Sequence, residues 1–295
     1  MELCLFLGCN TPAIRPDVER AIRATMPELG VDLVDAEGYV CCPAFGSFPS
    51  TDDDSHMASS GWNLSIAESK GLDMIVECGS CYSSLRMGQH HLASDETKLA
   101  RVNELLKPSG RQVECKNKIR HISDVLYSDV GCEKISGAIK KDLKGLCGVI
   151  QYPCHTLFPS EIVCFEDSPR QPKILCELTR ALGAEVNHYS RELQCCGGAG
   201  GFTNNSPAEA AQFTREKLDA IINETKADFI VVSCITCLMH LDNMQKQLNE
   251  ADKSNTYNIP VFDYNQLLAL CMGINPEQVA SIFTTPRKPV LDRFK

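Results

Sequence analysis

The sequence predicts an α/β fold built from two pseudo-symmetric domains, each a small, mainly parallel sheet flanked by helices. Three observations carry the prediction. One cysteine pattern occurs twice in the same order. Its cysteines stand at the ends of short apolar runs. Helical patterns fill the intervals between those runs.

The repeat comes first, because a duplicated pattern fixes the domain count. One group is Cys9, the pair Cys41-Cys42, then Cys78-x-x-Cys81; the other is Cys154, the pair Cys195-Cys196, then Cys234-x-x-Cys237. The first group has gaps of 31 and 35 residues, the second of 40 and 37. The offset between copies grows from 145 to 154 to 156, so loops differ and the order does not. The apolar context repeats too: Leu72 to Cys81 lines up with Ala227 to Cys237, and Ile119 to Leu126 with Ile259 to Leu268.

The elements follow in order. Leu3 to Leu7 is a strand that stops at Gly8-Cys9, and Met74 to Val76 is another that stops at Cys78. Gly148 to Ile150 runs into Pro153-Cys154, and Phe229 to Val232 runs to Cys234. Short, continuous apolar runs suit parallel strands buried on both faces. Second strands near Val31 to Val34 and Ala184 to Tyr189 precede the cysteine pairs. The clearest helix opens at Ser206-Pro-Ala-Glu209, a capping-box spelling, and runs to about Thr225. In open α/β sheets ligands sit at the carboxyl ends of strands, so the cysteines should converge at one edge of each domain. The mixed, glycine-bearing stretch 131–145 reads as a connector helix and turn, giving domains 1–144 and 145–295. From Pro286 onward the sequence reads as an exposed tail, frayed or docked on a partner.

Composition narrows the function. The 295 residues carry a formal net charge of −9, which argues against a general nucleic-acid or anionic-membrane binder. The longest apolar stretch, Phe229 to Met239, is too short to span a bilayer. The start, Met-Glu-Leu-Cys, reads as a strand and not as a signal peptide, so the expected compartment is the cytoplasm. In that reducing setting 17 cysteines point to metal or redox chemistry before disulfides.

One zinc ion takes four ligands, and so does an ordinary cubane iron–sulfur cluster. Each group here offers five thiols, and neighbouring cysteines in a loop can reach different metal atoms. A multi-iron cluster suits that set better than a lone ion. Zinc in one group, or thiol–disulfide exchange at the two Cys-x-x-Cys motifs, are the competing readings.

The duplicated spacing, with Cys41-Cys42-Pro and Cys195-Cys196-Gly-Gly-Ala-Gly-Gly, resembles the cysteine-rich CCG domain family. Two such domains without a ferredoxin segment most resemble the group formed by the B subunits of heterodisulfide reductase in methanogenic archaea. The resemblance implies two non-cubane [4Fe–4S] clusters. One would be held by Cys9, Cys41, Cys42, Cys78 and Cys81, the other by Cys154, Cys195, Cys196, Cys234 and Cys237. It implies two-electron reduction of the coenzyme M–coenzyme B mixed disulfide, a small molecule bound between the clusters. It also implies partners: the iron–sulfur and the flavin-bearing subunits of heterodisulfide reductase, with a hydrogenase or formate dehydrogenase module as a further one. A related disulfide, a sulfur carrier, an organic acid–quinone couple, or a pure electron relay are the alternatives. The coenzymes are anionic, so Lys or Arg should line the entrance.

Residues outside the repeat carry separate readings. His155 follows Cys154 and is a candidate to protonate a thiolate product or hold substrate; the plainer reading is a hydrogen bonder behind the cluster. Gly197 to Gly201 suits close backbone approach to a cluster, and its spacing is not that of a nucleotide loop. His90-His91 reads as a solvated face. Cys4, Cys115, Cys132, Cys147, Cys164, Cys176 and Cys271 read as small buried hydrophobes.

Overall fold

The computed structural model describes residues 1–43, 48–198, 200–254 and 256–294. Among them the strands form two four-stranded parallel sheets. The first holds β1 (Glu2–Phe6), β2 (Asp32–Asp35), β3 (Met74–Val76) and β4 (Ile119–His121) in the order β2-β1-β3-β4. The second holds β5 (Cys147–Ile150), β6 (Glu185–Asn187), β7 (Phe229–Val232) and β8 (Val261–Asp263) in the matching order β6-β5-β7-β8. The registers correspond as well: Leu5 faces Ile75 and Val149 faces Ile230. The α/β class and the duplication are as expected.

Hydrophobicity sorts the strands. Met74–Val76 and Phe229–Val232 are wholly buried, as central parallel strands must be. The edge strands β2 and β6 begin and end on exposed polar residues, which discourages edge pairing. Gly148 faces the Phe229 ring so closely that a Cβ there would lie 2.8 Å from it.

The helices that matter are α1 (Pro16–Thr25), α2 (Asp53–Ser69), α3 (Gly79–Ser94), α4 (Ile122–Val125), α5 (Ser160–Val163), α6 (Ile174–Ala181), α7 (Pro207–Glu224), α8 (Ile235–Ala251) and α9 (Tyr264–Cys271). They tie the lobes together reciprocally. Gln266 at the start of α9 donates to the buried Asp17 of α1 at 2.7 Å. In mirror fashion, Tyr127, just after α4, donates to Glu177 of α6. Tyr82 and Arg86 of α3 donate to the carbonyls of Val163 and Ile162, so α5 lies on the first lobe. The nine extra residues in the Cys154 gap belong to this crossing segment.

Two expectations need correction. Ser206 precedes α7 with Pro207 at its first position, but its side chain makes no cap hydrogen bond. Its backbone, at φ −143° and ψ 64°, lies outside the extended basin of a capping residue. A complete capping box does form at Asp263 and Gln266. The C-terminal segment is not an exposed tail either. Arg287 is 0% exposed, its guanidinium lies 4.4 Å from the centre of the Phe262 ring, and it donates to the Val261 carbonyl. Val290 and Phe294 are buried behind it.

Candidate metal centre

The strand order decides where the thiols meet. In each sheet the order reverses between the first and third strands, and that crevice is where α/β sheets bind ligands. Cys9 leaves β1 and Cys78 leaves β3, on either side of it; Cys154 and Cys234 do the same in the second lobe. The Cys-Cys pairs come in from the loops after the edge strands β2 and β6. Cys78 and Cys234 are the N-cap residues of α3 and α8, and each helix places its second cysteine one turn in. Gly8 has φ +68°, and a Cβ there would stand 2.7 Å from the Cys81 sulfur. Glycine is therefore needed both for the turn and for the space.

The ten sulfurs form one line. Cys9 contacts Cys41, Cys41 contacts Cys42, and Cys42 Sγ lies 2.9 Å from Cys81 Sγ. Cys81 contacts Cys78, and Cys78 Sγ lies 3.8 Å from Cys234 Sγ across the lobe boundary. From Cys234 the line continues through Cys237, Cys196 and Cys195 to Cys154. Among the described residues no three His, Cys, Asp or Glu side chains converge on a single-ion site. All-thiol donor sets suit soft, thiophilic metals.

Neighbouring thiols shift one another's ionisation. Cys42 is held down at about 5, first by a hydrogen bond with Cys41 and then by one with Cys81. Cys195 is pulled down to about 2, first by Cys154 and then by Cys196. Cys41 and Cys154, the partners in those bonds, are pushed up. In each lobe one thiol is thus biased by its neighbours toward the thiolate, the form that binds metal. The Gly197 and Gly198 amides donate to the Cys195 and Cys196 sulfurs at 3.3 and 3.4 Å. Amide donors to sulfur are a standard means of tuning iron–sulfur sites. Gly197 and Gly198 of the glycine motif therefore pack on thiols, and Ala199 within it lies outside the described residues.

Lys217 was not legible as a site residue. It is fully buried on α7, donates to the Arg191 carbonyl and the Tyr189 hydroxyl, and is pulled down to about 8 by burial, against the pull of Cys196 and Cys237. The signal was available: Ala210, Thr214, Lys217, Leu218 and Ile221 share one buried helix face.

A cavity of about 230 Å³ opens onto the first-lobe thiols. Cys9, Cys41, Cys42, Cys78 and Cys81 line one side; His155, Ile235 and Thr236 of the second lobe line the other. His155 therefore faces the first group as well as following Cys154. Burial lowers its pKa, so the ring is neutral near pH 7. None of the described residues lining this cavity is Lys, Arg, Asp or Glu, contrary to the basic entrance expected. The seven other cysteines are free; Cys4, Cys176 and Cys271 are buried and Cys115, Cys132, Cys147 and Cys164 half-buried. His90 is exposed and His91 half-buried, a largely solvated face.

Comparison with known proteins agrees with this geometry. The family model described as "Cysteine-rich domain", CCG, matches residues 3–86 and 149–242. A protein of Archaeoglobus profundus, named as like the B subunit of heterodisulfide reductase, is 42% identical over 98% of this chain and 97% of that protein. The B subunit of the ferredoxin/F(420)H(2)-dependent CoB-CoM heterodisulfide reductase of Methanosarcina acetivorans is 34% identical over 94% and 91%. A Wolinella succinogenes protein named "8-methylmenaquinol:fumarate reductase membrane anchor subunit" is 28% identical over 94% of each. A crystal structure of a hypothetical protein from Helicobacter pylori shares the fold, with a TM-score of 0.75 and 13% identity over 96% of this chain and 52% of that one. Repeat, strand order and relatives agree that the chain belongs to the family of paired cysteine-rich CCG domains that includes the B subunit of heterodisulfide reductase.

Proposed function

We propose that this chain is the disulfide-reducing subunit of an iron–sulfur reductase, with the coenzyme M–coenzyme B mixed disulfide as the reference substrate. The observation that carries the reading is the line of ten sulfurs, jointed at Cys78 and Cys234, beside a cavity that admits a small molecule. Cys9, Cys41, Cys42, Cys78 and Cys81 would hold one non-cubane [4Fe–4S] cluster, and Cys154, Cys195, Cys196, Cys234 and Cys237 the other. Bound there, the clusters supply single electrons and a soft metal for sulfur.

The overall reaction takes one disulfide, two electrons and two protons to two thiols. The electrons come from partner subunits, since the relatives are named as subunits of larger reductases. The chain's own residues bind and orient the substrate. Leu7 and Ile235 give apolar walls, and Thr11 and Thr236 give hydroxyls. His155, neutral in its buried position, carries one N–H and accepts a proton at its other ring nitrogen, which suits it to deliver a proton to a leaving thiolate. A reducing cytoplasm is the compartment that keeps the seventeen thiols unpaired.

The quinol-linked relative favours a second reading, an electron relay or a redox subunit for an organic acid–quinone couple. One experiment separates them. Anaerobically purified protein is analysed for iron, sulfide and zinc, then reduced and offered the disulfide. About eight iron and eight sulfide per chain, with thiols released, is the expected result. Iron without turnover favours the relay, and zinc without iron overturns both.

A further inference from the structure

The two copies differ in one place that the shared chemistry does not explain. In the first lobe α2 and α3 are in close contact. A Cβ on Gly88 would lie 2.5 Å from the Ser60 Cβ, and His56 Nε2 lies 3.4 Å from Ser84 Oγ. Met244 stands 156 positions after Gly88, the offset that carries Cys78 to Cys234. A thioether side chain cannot fit a contact of the Gly88 kind. The matching helices α7 and α8 are joined where Thr214 Oγ1 lies 2.8 Å from His240 Nε2, and beyond that bond they part around a groove of about 600 Å³.

One face of α8 forms its floor. Thr236, Met239, His240, Asn243, Met244 and Gln247 recur at helical spacing, and Leu248 and Ala251 continue the row. From Thr236 to Ala251 this face is about 22 Å long. Ala210 and Ala211 of α7 form the opposite wall. The groove and the thiol cavity share Asn10, Gly198 and Thr236, so one runs into the other. Among the described residues neither is lined by a Lys, Arg, Asp or Glu. The undescribed residues adjoining the cysteine pairs in sequence, Ala44 to Ser47 and Ala199, include no Lys, Arg, Asp or Glu either. An anionic arm would meet no Lys or Arg among the described lining residues, and desolvating it would be costly. An uncharged aliphatic arm would bury against Met239, Met244 and Leu248.

We infer that the α7–α8 groove takes an uncharged, aliphatic arm of the substrate whose sulfur–sulfur bond lies in the thiol cavity. The inference rests on the disulfide-reducing reading and departs from its reference substrate, replacing the anionic coenzyme pair with a disulfide that has a neutral lipophilic arm. The asymmetry orients the substrate: the arm lies along the second lobe, and the other half of the disulfide points away from α8.

The test uses methyl alkyl sulfides, whose thioether cannot exchange with the chain's thiols. They are titrated calorimetrically into the full-length protein with its metal in place. The arm is lengthened from ethyl to decyl, and sulfonate-ended sulfides of equal length form the comparison. Affinity should rise about two- to fourfold per methylene until the groove is full. The sulfonates should bind at least tenfold more weakly. Ala211→Trp should end the rise several methylenes earlier, and Met239→Lys should narrow the gap between neutral and sulfonate arms; iron content and thermal melting confirm that both variants fold. Length-independent affinity, tighter binding of sulfonates, or an unchanged series in Ala211→Trp overturns the inference. So does length-independent affinity together with loss of a co-purifying subunit in Ala211→Trp, which assigns the groove to a partner helix. Turnover of the matching disulfides is read separately. Length-dependent binding with no turnover of any disulfide overturns the reductase reading and leaves the groove assignment standing; turnover without length dependence does the reverse.

Discussion

The Sγ of Cys78 stands 3.8 Å from the Sγ of Cys234, and this contact joins the thiols of one lobe to those of the other. Each of the two ends its own strand and caps its own helix. If each lobe holds its own cluster, Cys234→Ser should lower iron from about eight to about four per chain, and Cys78→Ser should do the same. Loss of all iron in either variant would mean that the line works as one shared site.

Next to this joint, Glu77 and Asp263 are fully buried and interact with each other. Burial pushes both carboxyls up, Glu77 well above the ordinary carboxylate range, with the Asp263 charge adding to it. A raised carboxyl holds its proton in the folded chain where the unfolded chain has released it. Stability is therefore present below the unfolded value near 4.5 and is lost as pH rises through the folded one. Glu77→Gln keeps the shape without the charge. Its unfolding free energy from urea titration should vary less between pH 5 and 8 and exceed the wild type at pH 8 by about 1 kcal/mol or more.

The duplication, the parallel sheets and the meeting of cysteines at strand ends were legible because each rests on a local signal. Leu3 to Leu7 and Phe229 to Val232 are apolar runs that need no tertiary knowledge. The buried tail was not legible, since Pro286-Arg-Lys-Pro289 looks polar. What buries Arg287 is the Phe262 ring and the Val261 carbonyl, supplied by a strand some 25 residues earlier. The uncharged cavity was missed for a related reason. Its walls combine Cys9 and Cys41 with His155 and Thr236, and no local pattern reports that juxtaposition.

Gly88 offers a direct test of the asymmetry between copies. Gly88→Met places in the first lobe the residue that the second has at Met244. With Ser60 so close, the helices α2 and α3 must separate, and the chain should lose about 1–3 kcal/mol in urea unfolding. A neutral result would show that the first cleft can open without strain.

Arg287 ties the C-terminal segment to the second sheet. Arg287→Ala removes the stack on Phe262 and strips the Val261 carbonyl of its donor, so a loss of about 3 kcal/mol is expected in urea unfolding. Arg287→Lys should recover little, because an ammonium reproduces neither the planar stack nor the fork of donors. Full rescue by Lys would mean that charge alone matters.

Lys217 is a buried charge that interacts with the second group of thiols: burial pulls it down to about 8 while Cys196 and Cys237 pull it up. A cation beside a redox site favours the reduced, more negative state. If each lobe holds its own cluster, removing it should make reduction harder in the second lobe and leave the first alone. Potentiometric titration of Lys217→Met should show one midpoint shifted negative by some tens of millivolts, the other unmoved, and iron content unchanged. Lys217→Arg should stay near wild type. The pH dependence gives an independent check. As pH rises through about 8 the wild-type lysine loses its charge, so the midpoint of the second site should fall, while in Lys217→Met this step should be absent. Midpoints that move together in the variant would mean that Lys217 acts on the fold around both sites and not on the second site's charge.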